Sequence, residues 1–309
     1  MKITICILTY KRLFILKDLL EGLKDLDNEN LEIIVVDNNS QDGTKDYVTK
    51  NFPTIKYFCT DKNIGVAARN IGLRNANGDI IITIDDDISG LADEDLINLK
   101  KYFKNNKRVG ALNFKVVDSK SGLICNWVHH REAEVHCDKE FDTYEITEGA
   151  VAFRRNVLEK SGLYAEHFFI SHEGPDLALR IMDAGYEVKY SSIITVKHAH
   201  AEEGRKPWYR YYYDTRNQFY LANRNLPVQN AINYLLRGSL SLMIYSVRDG
   251  FLSYWFKGMR DGIKGLKEYS YERAILSKNT MKQVRRIDRY RPSIMYMVRK
   301  RLFRKEIRL

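Results

Sequence analysis

Residues 78–87 read Gly-Asp-Ile-Ile-Ile-Thr-Ile-Asp-Asp-Asp, and this stretch decides the fold. The β-favouring run Ile80 to Ile84 follows the turn pair Asn77-Gly78 and passes without a break into three carboxylates. A short apolar run bounded by turn residues is what a strand buried on both faces requires, and such strands belong to parallel sheets covered by helices. The acids at its end make that end a polar rim.

Upstream the same unit recurs. Lys2–Leu8 is a β-rich run; Leu13, Leu16, Leu19, Leu20, Leu23 and Leu26 then fall at helical spacing. Leu31–Val36 is a second apolar strand and stops at Asp37-Asn38-Asn39-Ser40. A short helix through Tyr47 and Val48, a strand at Ile55–Cys59 and a helix over Val66–Ala76 complete the rhythm of a parallel sheet. Polar residues collect where each strand ends: Thr9-Tyr10, Asp37, Asp61 with Asn63, and Asp85 onward. In an open parallel sheet those ends share one edge, which is where ligands bind.

Downstream, a helix is expected from Asp93 to Lys104 with Asp93 as its N-cap. Residues 110–150 read as mixed β and loop, Val157–Gly162 and Leu177–Gly185 as helices, and Glu187–Val196 as a strand that delivers His198 and His200. Beyond Gly204 the chain turns to Tyr- and Arg-rich helices. Its most apolar stretch, Ala231–Phe256, is interrupted by Arg237, Arg248 and Asp249 before it reaches the ~20 apolar residues a bilayer crossing takes.

The composition of the 309 residues, 44% apolar and 29% charged, is that of a folded globular protein. Its four cysteines form no CxxC pair, which argues against a secreted disulfide framework, and the N-terminus lacks the pattern of a cleaved signal. A cytoplasmic location is expected. The net charge of +10 is uneven: residues 201–309 hold 24 Lys+Arg against 9 Asp+Glu, while residues 1–200 hold 26 against 31. A basic, aromatic tail suits anionic lipid or a phosphorylated substrate. Nucleic acid is not expected as a partner, because binding it would not call for an acidic rim.

The triplet Asp85-Asp86-Asp87 carries the chemistry. Along an extended segment Asp85 and Asp87 point one way and Asp86 the other. Two carboxylates that close repel by a few kcal/mol at an effective dielectric near ~20, and a hard divalent cation that also holds phosphate oxygens relieves this. His198 and His200, two apart at a strand end, can face the same edge and supply an imidazole ligand. Mn²⁺ suits that mixed donor set, with Mg²⁺ the alternative. Cys125, His129, His130, His136 and Cys137 match no common zinc spacing and are expected on a variable surface instead.

The front of the chain resembles the GT-A family 2 glycosyltransferases, the large inverting family that builds bacterial polysaccharides. The resemblance rests on Ile5 to Arg12, Val36-Asp37-Asn38-Asn39-Ser40, Asn63-Ile64-Gly65-Val66-Ala67-Ala68-Arg69-Asn70, and Gly78 to Asp87. It resumes at Phe168 to Leu177 with Arg180, then Val196-Lys197-His198, and so covers roughly residues 1–225. It implies an α/β, GT-A (Rossmann-like) fold, a mostly parallel sheet flanked by helices, followed by a basic helical extension over 226–309. Within 1–225 it implies a nucleotide-sugar half, 1–110, and an acceptor half, 111–225.

The resemblance also implies roles. Asp37 accepts hydrogen bonds from the donor's base, Thr9 and Tyr10 line the nucleotide pocket, and Arg12, Asn63 and Asp86 join the donor site. Arg69 contacts the diphosphate, Asp85 holds the ribose, and Asp87 binds the metal with His198 or His200. The family usually reads Glu-Asp-x-Asp at the catalytic base, its second acid being the base. Here Glu173-Gly174-Pro175-Asp176 stands there, which gives the base to Glu173 and makes Asp176 an acceptor-positioning carboxylate or the alternative base. The expected donor is a UDP-sugar and the acceptor a glycan or lipid-linked saccharide, met as a peripheral protein at the inner face of the plasma membrane. Two other readings are a non-catalytic sugar-nucleotide-binding relative, suggested by Gly174, and a nucleotidyltransferase. The latter would open with a Gly-rich loop where Thr9-Tyr10-Lys11-Arg12 stands.

Overall fold

The computed structural model describes residues 1–26, 30–147, 149–199, 206–293 and 296. The strands are β1 (Ile3–Thr9), β2 (Leu31–Asp37), β3 (Lys56–Cys59), β4 (Ile80–Asp85), β5 (Ile88–Ser89), β6 (Val109–Asp118), β7 (Phe141–Asp142), β8 (Ala150–Arg154) and β9 (Glu187–His198). The helices are α1 (Leu13–Lys24), α2 (Thr44–Asn51), α3 (Arg69–Asn75), α4 (Asp93–Asn105), α5 (Ala133–His136), α6 (Arg155–Ser161), α7 (Glu173–Asp183), α8 (Thr215–Asn225), α9 (Val228–Arg248), α10 (Leu252–Glu268) and α11 (Lys278–Asp288).

One sheet runs in the order β3-β2-β1-β4-β8-β6-β9-β5, with β7 also on β9. Its first four strands are parallel, β8 is antiparallel to β4 and β6, and β9 runs parallel to β6. Register sets the rim: on β1, Thr9 lies opposite Asp37 of β2 and Leu8 opposite Asp85 of β4. Asp37 and Asp85 therefore end strands on either side of β1, roughly 10 Å apart at the usual strand spacing.

The apolar strands read without alternation because both faces are covered. Ile3, Ile5 and Ile7 join Ile80, Ile82 and Ile84 against Leu16 and Leu20 of α1 and Leu96, Leu99 and Phe103 of α4. On the other face Cys6, Ile34, Val36 and Ile81 pack with Leu73 of α3, Val157 of α6 and Leu177 and Ile181 of α7. Phe219, Tyr220 and Leu221 of α8 belong to this second core.

Several boundaries depart from the sequence reading. Asp93 is the first helical residue of α4; its N-cap is Ala92, whose N–H is held by Asp95 Oδ2 at 2.9 Å. Helix α7 begins four residues before Leu177, because Pro175 sits in the first turn, where no backbone donor is needed. Glu173 and Asp176 are thus helical residues. The apolar stretch Ala231–Phe256 is not one helix: it divides at Asp249-Gly250, where Gly250 takes φ +77°. No helix among the described residues is long and apolar enough to cross a membrane. Helix α10 packs closely on the preceding helices through Gly258, Gly262 and Gly265, where a Cβ would meet Thr215, Phe219 or Tyr220.

Candidate active site

The acidic triplet sits where β4 ends. Because the strand stops at Asp85, the expected alternation fails: Asp86 and Asp87 lie in a turn and share one cation, while Asp85 turns to another. Arg12 donates to Asp86 Oδ1 at 3.2 Å and to Asp87 Oδ2 at 2.8 Å. Thr9 Oγ1 donates to Asp86 Oδ2 at 2.7 Å. Burial pushes the Asp86 carboxyl up to about 7, against the pull of Arg12 and the Thr9 hydroxyl. Thr9 is 1% exposed, so it props the triplet from beneath, and Asp86 serves the same scaffold. Tyr10 is 38% exposed and stands at the rim.

His198 comes from the end of β9, opposite Ile88 of β5. Its Nε2 lies 3.2 Å from Asp87 Oδ2, and its Nδ1 lies 3.2 Å from the Asn126 amide. Burial opposes charge on this ring, but Asp87 and Cys125 outweigh it and push the imidazole up to about 9. Burial of Asp87 is likewise outweighed, by His198 and Arg12, so its carboxyl falls below the ordinary range. Asp87 Oδ1 is buried with no hydrogen-bond partner among the described residues. That orphaned oxygen beside an imidazole fits a divalent cation, whose other positions water and phosphate oxygens would fill. Among the described residues no group of three or more His, Cys, Asp or Glu converges as a metal cage. His200 lies outside the described residues.

Arg69 lies inside the protein. Its side chain is 2% exposed; it donates to Asp85 Oδ1 and, at 3.2 Å, to the Ile84 carbonyl. The guanidinium thus braces the end of β4 from inside the protein. Arg12, whose side chain is 32% exposed, is the more accessible of the two arginines. Asp85 keeps its second oxygen against Gly149, where a Cβ would stand 2.5 Å from it, so only glycine fits there.

Asp37 is buried at the end of β2. Its Oδ1 accepts the Ser40 N–H at 2.8 Å and its Oδ2 the Tyr57 hydroxyl at 2.6 Å. Asn63 Oδ1 accepts from the Asn38 amide at 3.0 Å and from the Gly65 N–H at 2.9 Å. Asn38, which the sequence reading quoted without a role, also accepts the Ile64 N–H at 2.9 Å and so ties the loop after β2 to the loop after β3. Its place directly after Asp37 was the available signal.

Glu173 opens α7 and is 2% exposed. Asp176 is fully buried and both of its oxygens are engaged. Oδ2 accepts from Arg180 at 2.7 and 3.0 Å; Oδ1 accepts from Asn225 at 2.7 Å and faces Arg224 at 3.4 Å. With both oxygens engaged in this way, Asp176 ties α7 to α8. The loop before Glu173 abuts the segment after Asn63, since the Phe169 carbonyl accepts the Val66 N–H at 2.8 Å and a Cβ on Gly65 would fall 2.0 Å from that carbonyl oxygen. Gly65 also takes φ +67°.

The Cys/His segment forms no zinc site among the described residues. His129 is buried among Trp127, Phe141 and Tyr190, and His130 Nε2 lies 2.7 Å from Glu145. His136 contacts the Glu132 carbonyl.

Carboxylates from β2 and β4, an imidazole from β9 and a half-buried arginine thus meet at the C-terminal edge of a parallel sheet. The family model for glycosyl transferase family 2 matches residues 4–162. The chain belongs to glycosyl transferase family 2. It is 25% identical over 225 residues to the O-antigen chain rhamnosyltransferase RfbN of Salmonella typhimurium, covering 69% of this chain and 71% of that one. Among solved structures it resembles S. aureus TarS 1–349 in complex with UDP-GlcNAc, with a TM-score of 0.61 at 18% identity, over 93% of this chain and 88% of that one. It also resembles the mannosyltransferase PcManGT from Pyrobaculum calidifontis in complex with GDP-Man and Mn²⁺, with a TM-score of 0.55 at 18% identity, over 99% and 88%. The fold of this glycosyltransferase is GT-A.

Proposed function

We propose that this family 2 glycosyltransferase moves a sugar, with inversion, from a UDP-sugar to a hydroxyl of a glycan or lipid-linked saccharide in cell-surface polysaccharide synthesis. The observation that carries the reading is Asp87: one oxygen orphaned among the described residues, the other shared by Arg12 and His198, at the edge where Asp37 and Asp85 also end. Asp87 and His198 would hold a divalent cation, Mn²⁺ or Mg²⁺, which supplies charge stabilisation for a departing diphosphate. The mannosyltransferase complex containing Mn²⁺ supports this choice.

The residues of this chain divide the remaining work. Asp37 and Tyr10 receive the base, Asp85 the ribose, and Asn63 fixes the loop beside them. Arg12 is the diphosphate's cation, since Arg69 is spent on Asp85. Glu173 takes the proton of the acceptor hydroxyl as the new bond forms from that oxygen to the anomeric carbon. The bond from the anomeric carbon to the diphosphate oxygen breaks on the opposite face, and the nucleoside diphosphate leaves with that electron pair. With Glu173 2% exposed, the acceptor reaches it once the side chains that cover it move aside. The donor half at 1–110 and the acceptor half at 111–225 remain our division of labour along the one sheet.

The outer face of α9 supports a membrane-surface role on the cytoplasmic side. Val228, Ile232, Leu236, Leu240, Ile244 and Val247 are all exposed there, and the exposed outer face of α11 carries Lys278, Lys282, Arg285 and Arg286. Anionic headgroups attract such residues by ~1 kcal/mol each near the surface. Flotation with anionic liposomes at low salt tests it; protein left in the soluble fraction would count against it. The function itself is tested by screening nucleotide-sugars for Mn²⁺-dependent thermal stabilisation, then assaying transfer with the stabilising donor. Stabilisation by no nucleotide-sugar, with or without metal, would sink the reading.

A further inference from the structure

The loop that delivers Glu173 is strained. Phe169, Ser171 and His172, none of them glycine, take φ of +65°, +74° and +69°. Side chains rarely accept the left-handed region, and three such residues in four persist only when surrounding structure over-determines them. Here the over-determination comes from one short segment, Tyr213 to Asn217, at the junction of a π-helical turn (Arg210–Asp214) and α8.

Asn217 is fully buried, and its side-chain amide nitrogen reaches three carbonyl oxygens of the loop: Phe168 at 3.0 Å, Ile170 at 2.7 Å and Ser171 at 2.7 Å. An amide has two N–H bonds, so three acceptors share two hydrogens, and no other uncharged side chain of that size could serve them. Arg216 donates to the His167 and Phe168 carbonyls at 3.2 and 2.6 Å. Asp214 accepts the Ser171 hydroxyl at 2.6 Å, and the Tyr213 ring stacks on Phe169 at 5.3 Å. Every strained residue but His172 is thereby gripped directly, and His172 is followed at once by Glu173.

We infer that Asn217 is a positioning residue for the transfer step: it holds the 168–172 loop in its left-handed form and through it sets the carboxylate of Glu173 at the acceptor hydroxyl. Asn217 is fully buried, so its part is positioning and not contact with substrate. The inference rests on Glu173 being the base. It also accounts for the burial of α8 in the same core as α7, since a clamp of this kind must not move.

The test is steady-state kinetics on the full chain with a stabilising UDP-sugar and Mn²⁺, comparing wild type, Asn217→Ala, Ser171→Ala and Glu173→Gln. Displacing a reacting group by ~1 Å costs on the order of 10²-fold. Asn217→Ala should therefore lose about that much in kcat while donor KM stays within a factor of about three. Ser171→Ala, which removes the tie to Asp214 and the 3.0 Å contact with His172 Nδ1 but leaves the Asn217 clamp in place, should lose about tenfold in kcat with the same unchanged donor KM. If Asn217→Ala does not fold, Ser171→Ala reads the same split. A kcat equal to wild type in the folded variants, with Glu173→Gln inactive, overturns the clamp and leaves the base in place. A raised donor KM at unchanged kcat also overturns it, and would show that the loop serves Val66 and the donor instead. Full transfer by Glu173→Gln removes the base reading, and the clamp's purpose with it.

Discussion

Replacing Asp176 by Asn separates a structural tie from a catalytic base. In the folded chain this carboxylate has no exposure, and Arg180, Arg224 and Asn225 surround it. Burial alone would raise its pKa, but the two arginines and the Asn225 amide outweigh that and hold it below the ordinary value. Removing one member of a buried ion pair costs ~3–5 kcal/mol. Asn keeps one acceptor, and Arg180 retains the Leu163 carbonyl at 2.7 Å, so the lower end, ~3 kcal/mol, applies here. At roughly 2 °C per kcal/mol for a chain of this size, Tm should fall by about 6 °C. The sign with pH follows from the depressed pKa. The stabilisation is present above the unfolded value of ~3.9 and is lost as pH falls through the folded one, so the gap to wild type is full at neutral pH and closes in acid. Thermal denaturation and transfer kinetics on one preparation decide the matter. Unchanged Tm with kcat lowered beyond ~10²-fold, the cost of deleting a general base, would refute the structural assignment and return the base to Asp176.

Three other outcomes follow from the same geometry. Asp87→Ala should abolish Mn²⁺-dependent thermal stabilisation by the donor; retention of the full shift would dismiss Asp87 as a metal ligand. His129, pushed down to about 3 by burial, is neutral in the fold, so its contribution is complete above 6.5 and is lost as pH falls toward 3. Between about pH 7.5 and about pH 5 it should cost wild type ~2 kcal/mol that His129→Phe does not lose, which urea denaturation at both pH values would measure. Gly262→Ala places a Cβ 2.5 Å from Phe219 Cδ2 and 3.1 Å from the Arg216 carbonyl, so overpacking should cost ~1–3 kcal/mol despite alanine's better helix propensity; a gain in Tm would contradict the α8–α10 packing.

The parallel half of the sheet was legible because each of its strands is an apolar run ending in polar residues, and that pattern encodes both burial and direction. Residues 110–150 were not, because their order comes from partners far along the chain: β8 is held between β4 and β6, and β7 is two residues long. The same reason hid the roles of the charged groups. Arg69 read as a donor contact because nothing local says that Asp85, sixteen residues on, will take its guanidinium inside. Asp176 read as catalytic because Arg224 and Asn225 lie nearly fifty residues away. Asn217 gave no local signal at all, its three acceptors lying 46 to 49 residues back.

The acidic triplet also shows where a local argument about repulsion stops short. A divalent ion is one way to relieve the repulsion of adjacent carboxylates, and the protein also provides its own counter-charges: Arg69 for Asp85, Arg12 for Asp86 and Asp87, and His198 for Asp87. These come from α3, from the loop after β1 and from β9, so the triplet is balanced only once those elements have assembled around β4. A cation arriving at the orphaned Asp87 Oδ1 therefore competes with Arg12 and His198, which already neutralise the other oxygen, rather than filling a bare negative hole. An imidazole raised to about 9 would give up its proton to become a ligand, and Arg12 would be released toward whatever anion accompanies the cation. Metal and diphosphate binding are then coupled through Arg12. The nucleoside diphosphate should bind more tightly with Mn²⁺ than without it in wild type, and this difference should shrink in Arg12→Ala, as calorimetry can measure; an equal metal effect in both proteins would break the coupling argument.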